Sequence, residues 1–553
     1  MKKIIQLLPL AIVLVIGAIS CKKESFNINK NPNDVTDSSI VYNFILPTAQ
    51  NSTARLVTRN WGWLQNYLGY WARSGTYAPN TAEETYELTT NFQAQIWTNI
   101  YDNLYDYEAM RISAKKEGAE FYEGISRIMK AHNNAILVDI YNNVPYTEAL
   151  KGAANITPKY DKGIDIYKDL LRQIDTGIAL IKAANVADDG PNKTIATDDI
   201  MFGSTLFDDN ADGSADPAAM KVRWAKFANT VKLRILTKFM NGGVAANPAG
   251  TVGTPESYVA GVDLGAEFAT IAAEGSGFMD NGLNAEVQPG YQSDKGNPFY
   301  NSYVADNAGT KTANADYYKA NSYAIDYYEY NGDPREGKFY TQSPTGFRGV
   351  QYGLPSLTEN AASTLSGIGT GLARSVTSAA WVLTEAESYF LQAECIHRGF
   401  LPGGAAGAAA TMNQGIQASF TYLGAGSASG YISGNATYAD VDYNAASRFG
   451  GAAGGLFTII SQKWFALNGI APFEVWSDYR RVDYSSTVNH FVYGTSTGFD
   501  AGPPISVSPA NTKTEIPVRL LYPQNEYLYN PANVGAEPPV GAYPFSHIFW
   551  DLN

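Results

Sequence analysis

The residues best suited to chemistry are aromatic rings crowded into one stretch near the start of the chain. WGWLQNYLGYWARSGTY, residues 61–77, holds three of the nine tryptophans and three tyrosines. An aromatic ring offers an apolar face on which a ligand can stack, and stacking one ring buries apolar area that stabilises the contact by roughly 2 kcal/mol. We predict that Trp61 to Tyr70 form a packed helix, that Gly75 ends it, and that the residues at or beyond its end contact a ligand. These are Trp71, Arg73, Tyr77 and Asn80.

A second aromatic group lies in a segment rich in glycine, asparagine and serine. It comprises Tyr291, Tyr300, Tyr303, Tyr317, Tyr318 and Tyr323. Long loops that carry aromatic residues commonly carry function. We therefore predict that Tyr291, Tyr300, Tyr317 and Tyr318 also contact the ligand, and that the two aromatic regions meet in the fold.

One acidic stretch has the spacing of a calcium loop. Residues 208–216 read DDNADGSAD, so oxygen-bearing side chains stand at positions 1, 3, 5 and 9, with glycine at position 6. The candidate calcium ligands are Asp208, Asn210, Asp212 and Asp216. Position 12 is Ala219, where an EF-hand has glutamate, so a solvated acidic turn is the alternative. We expect no required cofactor beyond this possible structural calcium.

The motifs of common hydrolases are weak or missing. The four histidines, at 132, 397, 490 and 547, form no HExxH or Cys/His cluster, and His132 falls on an apolar helix face, where we predict a hydrogen-bonded core residue. Residues 494–498, GTSTG, match the serine-hydrolase elbow, but the following FDAGPP does not begin a helix. We assign no catalytic residue.

The charge and the N-terminus limit the compartment and the partners. A formal net charge of -13 gives no electrostatic reason to bind phosphate backbones, so nucleic acid is excluded as a partner. Two lysines, an apolar run and Ala-Ile-Ser-Cys follow the first methionine, which is the layout of an export signal. We predict a lipoprotein signal at residues 1–20, an acylated Cys21 and a polar tether over 21–39. An ordinary secretory signal is the alternative, and Cys395 is left without a disulfide partner.

Hydrophobic periodicity supplies the elements that must position these residues. Apolar side chains three and four residues apart predict amphipathic helices over 123–142, 164–181, 224–239, 405–423 and 456–468. A capping box at Thr384 predicts another helix that Gly399 ends. We divide the mature chain into an N-terminal helical region (40–242), a loop-rich variable region (243–375) and a C-terminal helical region with a wrapping tail (376–553). The fold class is all-α.

Several short motifs, in order along the chain, resemble one known family. They are VPYTEAL (144–150), TPKYD (157–161), WAKFANTVKLR (224–234), NGDPR (331–335), QKWFAL (462–467), EVWSDYRR (474–481) and IPVRLLYP (516–523). Together they are similar to the SusD/RagB family of nutrient-binding outer-membrane lipoproteins, specifically its second SusD-like subfamily. Val475 departs from the alanine expected there. We interpret Arg480, Arg481 and Arg519 as ion-paired residues of the fold.

The resemblance implies a scaffold of tetratricopeptide-like helix pairs and a loop-rich ligand-binding region, at a position that includes the end of the 61–77 stretch. It also implies a lipid-anchored protein on the cell surface that acts as the lid of a TonB-dependent SusC-like transporter. Such a protein binds oligosaccharides, or in some members peptides, and is not an enzyme. The first alternative function is peptide capture, and the second is a secreted glycan hydrolase.

Overall fold

Long amphipathic helices dominate the structure, a computed structural model that describes residues 41–187, 190–240, 261–438, 440–445, 454–482, 504–538 and 546–551. The export signal, Cys21, the tether, His490 and the 494–498 motif lie outside the described residues. From Tyr42 onward the chain forms one compact unit.

The first half of this unit supplies the longest helices. They are α1 (Tyr42–Arg59), α2 (Gly62–Tyr67), α3 (Thr81–Glu84), α4 (Ala94–Glu117), α5 (Glu120–Tyr141), α6 (Gly163–Ala183), α7 (Ile195–Asp198) and α8 (Pro217–Thr237). Gly118 ends α4 with a φ of 69°, a conformation that glycine adopts without strain, and α5 begins at Glu120 after Ala119. Helix α5 packs against both α4 and α6. These contacts confirm the predicted helix-pair scaffold. In α6 the predicted apolar face is the buried one, whereas α5 is buried on nearly all of its sides.

The second half alternates short helices with a second helical group. Its helices are α9 (Leu264–Glu274), α10 (Pro298–Tyr303), α11 (Ala313–Tyr317), α12 (Ser322–Asn331), α13 (Glu336–Phe339), α14 (Glu385–His397), α15 (Gly404–Leu423), α16 (Ser429–Gly434), α17 (Leu456–Leu467), α18 (Pro472–Arg481), α19 (Gln524–Tyr529) and α20 (Pro531–Val534). The capping box predicted at Thr384 is wrong, because the Thr384 hydroxyl is buried and makes no cap hydrogen bond. Helices α14, α15 and α17 pack together as predicted.

Three short antiparallel strand pairs tie distant segments together. The strands are β1 (Trp71–Arg73), β2 (Val144–Pro145), β3 (Tyr160–Asp161), β4 (Ala285–Val287), β5 (Tyr318–Ala320) and β6 (Ala380–Leu383). They pair as β1 with β5, β2 with β3 and β4 with β6. The first of these pairs positions the candidate site.

Buried ion pairs join the two helical groups. Lys238, next to the end of α8, lies 2.5 Å from Asp139 of α5 and 3.1 Å from Glu474 of α18. Arg234 of α8 likewise pairs with Glu387 of α14 at 2.7 Å. Because a buried charge is costly without its partner, these pairs fix how the helices meet.

The arginines of the sequence motifs are parts of this scaffold. Arg481 ion-pairs with Glu394 and Asp478, each at 2.6 Å, as predicted. Arg480 donates to the main-chain carbonyls of Asp139 and Val518, and Arg519 donates to that of Tyr141. All three arginines are buried, so none faces a ligand.

Two further predictions about buried polar residues are confirmed. His132 is buried and hydrogen-bonds Asn133 at 3.0 Å, and burial together with nearby Arg234 lowers its pKa to about 4. Cys395 is a free, buried thiol. In the described part of the chain no helix is both long and apolar enough to cross a membrane.

Candidate functional site

The pairing of β1 with β5 brings the two predicted aromatic regions together. Trp71 stands opposite Ala320, and Arg73 opposite Tyr318. The amide of Ser74 then donates to the carbonyl of Tyr317 at 2.9 Å, which continues the ladder by one residue. The prediction that the two regions meet is therefore confirmed.

Trp71 lies beneath this junction and not on its surface. Its side chain is 1% exposed, and its ring contacts those of Phe299, Tyr303 and Tyr318 at centroid distances of 6.4, 5.2 and 5.5 Å. The prediction that Trp71 stacks on a ligand is wrong, because α2 ends at Tyr67 and the chain enters a paired strand instead of continuing as a helix to Gly75. The predicted burial of Trp61 to Tyr70 is confirmed.

Arg73 is also buried, and it shapes the turn that follows β1. Its guanidinium ion-pairs with Glu84 at 2.6 Å and donates to the carbonyls of Tyr77 and Leu354 at 2.7 and 2.5 Å. Its donors are engaged by the protein, so the prediction that Arg73 contacts a ligand is wrong. Arg73 instead holds Tyr77 in place.

Tyr77 and Tyr317, which we call the ring pair, reach the surface above the junction. Their rings meet edge to face with centroids 5.3 Å apart, and both side chains are partly exposed. The Tyr77 hydroxyl donates to the carbonyl of Ala313 at 3.1 Å. The Tyr317 hydroxyl has no hydrogen bond to another described residue. This pair offers a rigid aromatic surface with a hydroxyl available to a polar ligand.

The remaining predicted ligand residues differ in position and in burial. Asn80 is exposed and caps α3, since its oxygen accepts from the amide of Glu83 at 3.4 Å. Tyr318 stacks its ring edge against Tyr317 at 4.8 Å. Tyr300 is partly exposed on α10. Tyr291 is 9% exposed and donates to Asn51 at 2.8 Å, and burial raises the pKa of its hydroxyl. Their ligand contacts stay predictions.

A cleft of about 530 Å³, which we call the α1 cleft, opens beside α10. One wall is the face of α1 that carries Asn51, Arg55 and Arg59, and the other is the 289–307 segment with Tyr291 and Lys295. Pro298 and Asn301 of α10 also line this cleft, while Phe299 and Tyr303 of the same helix pack on Trp71. Helix α10 therefore connects the α1 cleft to the support of the ring pair.

The α1 cleft is missing from the predictions, although the sequence carries a signal for it. Asn51, Arg55 and Arg59 are four residues apart, so they share one helix face. Burial, and then the charge of Arg55, lower the pKa of Arg59. Lys295, Asp294 and Asp306 add charges of both signs.

The acidic stretch at 208–216 folds as a hydrogen-bonded turn. Asp208 accepts from the amide of Gly213 at 2.9 Å, Asp212 from that of Ser214 at 3.0 Å, and Asp216 caps α8 through the amide of Ala218. The side-chain amide of Asn210 donates to the Ser214 hydroxyl. Within the described ranges no three His, Cys, Asp or Glu residues are grouped as a metal site. The calcium site stays a prediction, with the hydrogen-bonded turn as its alternative.

A hydrogen-bonded turn that binds no calcium predicts how calcium affects the stability of the protein. We expect 5 mM EDTA, or about 1 mM CaCl₂, to leave the melting temperature of the full chain within about 1 °C, because a ligand that does not bind the native state does not shift unfolding. Differential scanning fluorimetry measures this. A melting temperature that rises by several degrees with calcium, but not in Asp212→Ala, would show that the loop binds calcium.

Residues 29–523 match the sequence model of the second SusD-like family, which is described as "Starch-binding associating with outer membrane". Solved structures share the fold at low identity. A SusD/RagB family protein of Bacteroides thetaiotaomicron has 18% identity over 93% of this chain and 100% of that one, with a TM-score of 0.66. A SusD homologue of Bacteroides fragilis has 19% identity, coverage of 93% and 99%, and a TM-score of 0.63.

A further structure is that of a chitin-binding SusD homologue of Flavobacterium johnsoniae. It has 21% identity over 92% of this chain and 99% of that one, with a TM-score of 0.60. No curated protein sequence matches the chain. These neighbours support the all-α helix-pair fold.

Proposed function

Because the chain belongs to the second SusD-like family, we propose that it is a cell-surface lipoprotein of the outer membrane that captures glycans at the ring pair. We further propose that it is anchored through Cys21 and hands its ligand to a TonB-dependent SusC-like transporter, over which it acts as a lid. In this proposal the protein binds without catalysing a reaction.

The observation that carries this proposal is the meeting of β1 and β5. It places two partly exposed tyrosine rings, 5.3 Å apart, on a support of buried rings that includes Trp71. A rigid, supported ring loses little entropy when a sugar stacks on it. The family description and the chitin-binding neighbour support a glycan ligand.

The expected affinity is modest. Two or three stacked rings at roughly 2 kcal/mol each, less the cost of association, correspond to dissociation constants between about 1 mM and 1 μM. Such an affinity suits a protein that passes its ligand onward.

We expect Tyr317→Ala to weaken binding of a neutral oligosaccharide by about 1–3 kcal/mol, or roughly 5- to 150-fold, because it removes one stacking surface and one free hydroxyl. Isothermal titration calorimetry with a panel of starch, chitin and β-glucan oligosaccharides measures this. Tyr105→Ala is the matched control, since Tyr105 is 48% exposed on α4, outside the site.

The same panel tests the alternatives. Release of new reducing ends during incubation would show a hydrolase and overturn the proposal. Binding of peptides without binding of any oligosaccharide would assign the protein to peptide capture. Equal loss of affinity in Tyr317→Ala and Tyr105→Ala would remove the ring pair from the site.

A further inference from the structure

Resting on the glycan-binding function proposed above, we infer that the α1 cleft binds the acid group of an acidic oligosaccharide. The recognised chemistry is a carboxylate or sulfate carried on a sugar. Arg55, Arg59 and Lys295 would bind the acid group, and the neighbouring amide and carboxylate side chains would bind hydroxyls.

The cations of the α1 cleft are presented on a rigid wall. Arg55 and Arg59 are one helical turn apart near the C-terminal end of α1, and Asn51 precedes them by another turn. Leu56 and Val57 between them are buried, so the helix is held by the core while this face opens to the cleft. A site built on a packed helix keeps its geometry when a ligand arrives.

These cations lack the carboxylate partners that other arginines of the protein have. Across the described residues, the Arg55 and Lys295 side chains make no ion pair or hydrogen bond, and Arg59 donates only to the neutral hydroxyl of Ser302 at 3.0 Å. By contrast, Arg111, Arg127 and Arg223 each pair with a carboxylate at the surface.

Leaving these cations unpaired has a cost that a ligand would relieve. Like charges four residues apart on a helix repel each other and destabilise it slightly. The pKa of Arg59 is lowered first by burial and then by the charge of Arg55. An anion between the two guanidinium groups would remove the repulsion between them and accept two forked pairs of hydrogen bonds.

Other groups of the α1 cleft favour a sugar acid over a bare inorganic anion. Asn51 lines the cleft, and its side-chain oxygen accepts from Tyr291 while its side-chain nitrogen makes no hydrogen bond to another described residue. Asp294 and Asp306 add acceptors for hydroxyl protons, and one oxygen of Asp306 is engaged by the amides of Ala308 and Thr310. These carboxylates would repel any anion, but only an anion that carries hydroxyls can donate hydrogen bonds to them in return.

The test compares matched oligosaccharides that differ in charge. Full-length mature protein is titrated by calorimetry with a galacturonic-acid tetrasaccharide, a sulfated galactan tetrasaccharide and a neutral galactan tetrasaccharide. The variants are Arg55→Ala, Arg55→Lys and, as a control, Arg172→Ala, because Arg172 is 67% exposed and paired on α6.

We expect at least one acidic tetrasaccharide to bind about tenfold or more tightly than the neutral one, and Arg55→Ala to remove that preference, which is the scale of one charged hydrogen-bonded contact. Arg55→Lys should retain part of the preference, and Arg172→Ala all of it. Raising salt from 50 to 500 mM should shrink it. Which acidic probe binds distinguishes carboxylate from sulfate.

Failure of this inference is distinguishable from failure of the proposed function. Equal affinity for acidic and neutral tetrasaccharides, or an acid preference that survives Arg55→Ala in a folded variant, overturns the acid site while glycan binding stands. Absence of binding to every oligosaccharide of both panels overturns the proposed function and the inference together.

Discussion

Replacing Glu394 with alanine is expected to lower the free energy of unfolding by about 3–5 kcal/mol. The Glu394 carboxylate lies 2.6 Å from Arg481 and 2.9 Å from Arg398, and all three side chains are buried. Without Glu394, the two guanidinium groups stay in the interior with less compensating charge. Urea denaturation followed by tryptophan fluorescence and by circular dichroism measures the change.

The same residue predicts how stability depends on pH. Burial alone would raise the pKa of Glu394, but Arg481 and Arg398 outweigh it and lower that pKa from 4.5 to about 2. A lowered folded-state pKa means that the stabilisation is complete above about pH 4.5 and is lost as pH falls toward 2. Glu394→Gln should therefore unfold with a shallower pH dependence between pH 4.5 and 2 than the parent protein.

The control is a glutamate whose ion pair is exposed. Glu117 is 55% exposed and pairs with Lys116, so Glu117→Ala should change the free energy of unfolding by less than about 1 kcal/mol. A loss below about 1 kcal/mol in Glu394→Ala as well would mean that the buried network contributes little to the stability of the fold.

Trp71→Ala is expected to cost about 3–5 kcal/mol of folding stability, because it leaves a cavity among packed rings. The Trp71 ring supports Tyr303 and Tyr318, at centroid distances of 5.2 and 5.5 Å. We therefore expect the melting temperature and the ligand affinity to fall together in this variant. Thermal unfolding and calorimetry on the same preparation measure both.

Two variants separate a supporting role of Trp71 from direct contact. Trp71→Phe refills part of the cavity and should recover most of the stability and the binding. Tyr317→Ala, by contrast, should lose affinity with little change in melting temperature. An unchanged melting temperature in Trp71→Ala with lost binding would contradict the burial of Trp71 and restore it as a ligand platform.

The sequence predicts the scaffold well because a helix depends on the spacing of apolar residues close together in the sequence. The apolar face of α6 recurs every three or four residues, so its position and buried side follow without knowledge of the partner. The apolar spacing of α5 likewise predicts a helix, but not that nearly all of its sides are buried. The burial of Trp71 cannot be predicted in this way. It depends on pairing with Ala320, which is 249 positions away and part of a strand of three residues.

The same contrast between local pattern and long-range contact applies to the residues of the candidate site. The meeting of Tyr77 with Tyr317 is predictable in outline because both belong to the aromatic-rich segments of the sequence, although Tyr317 is the last residue of the short helix α11. The engagement of Arg73 by Glu84 is not, because an arginine beside aromatic residues has the same sequence pattern whether it binds a ligand or a carboxylate. Arg55 is the converse case, because only the fold shows that its side chain has no carboxylate partner among the described residues.

The most direct test of the account is a crystal structure of the protein with an oligosaccharide that calorimetry has shown to bind. We predict a sugar ring within about 4 Å of the Tyr317 ring, with Trp71 still buried beneath it and any acid group at the α1 cleft. An oligosaccharide bound elsewhere, with the ring pair and the α1 cleft both unoccupied, would contradict the account.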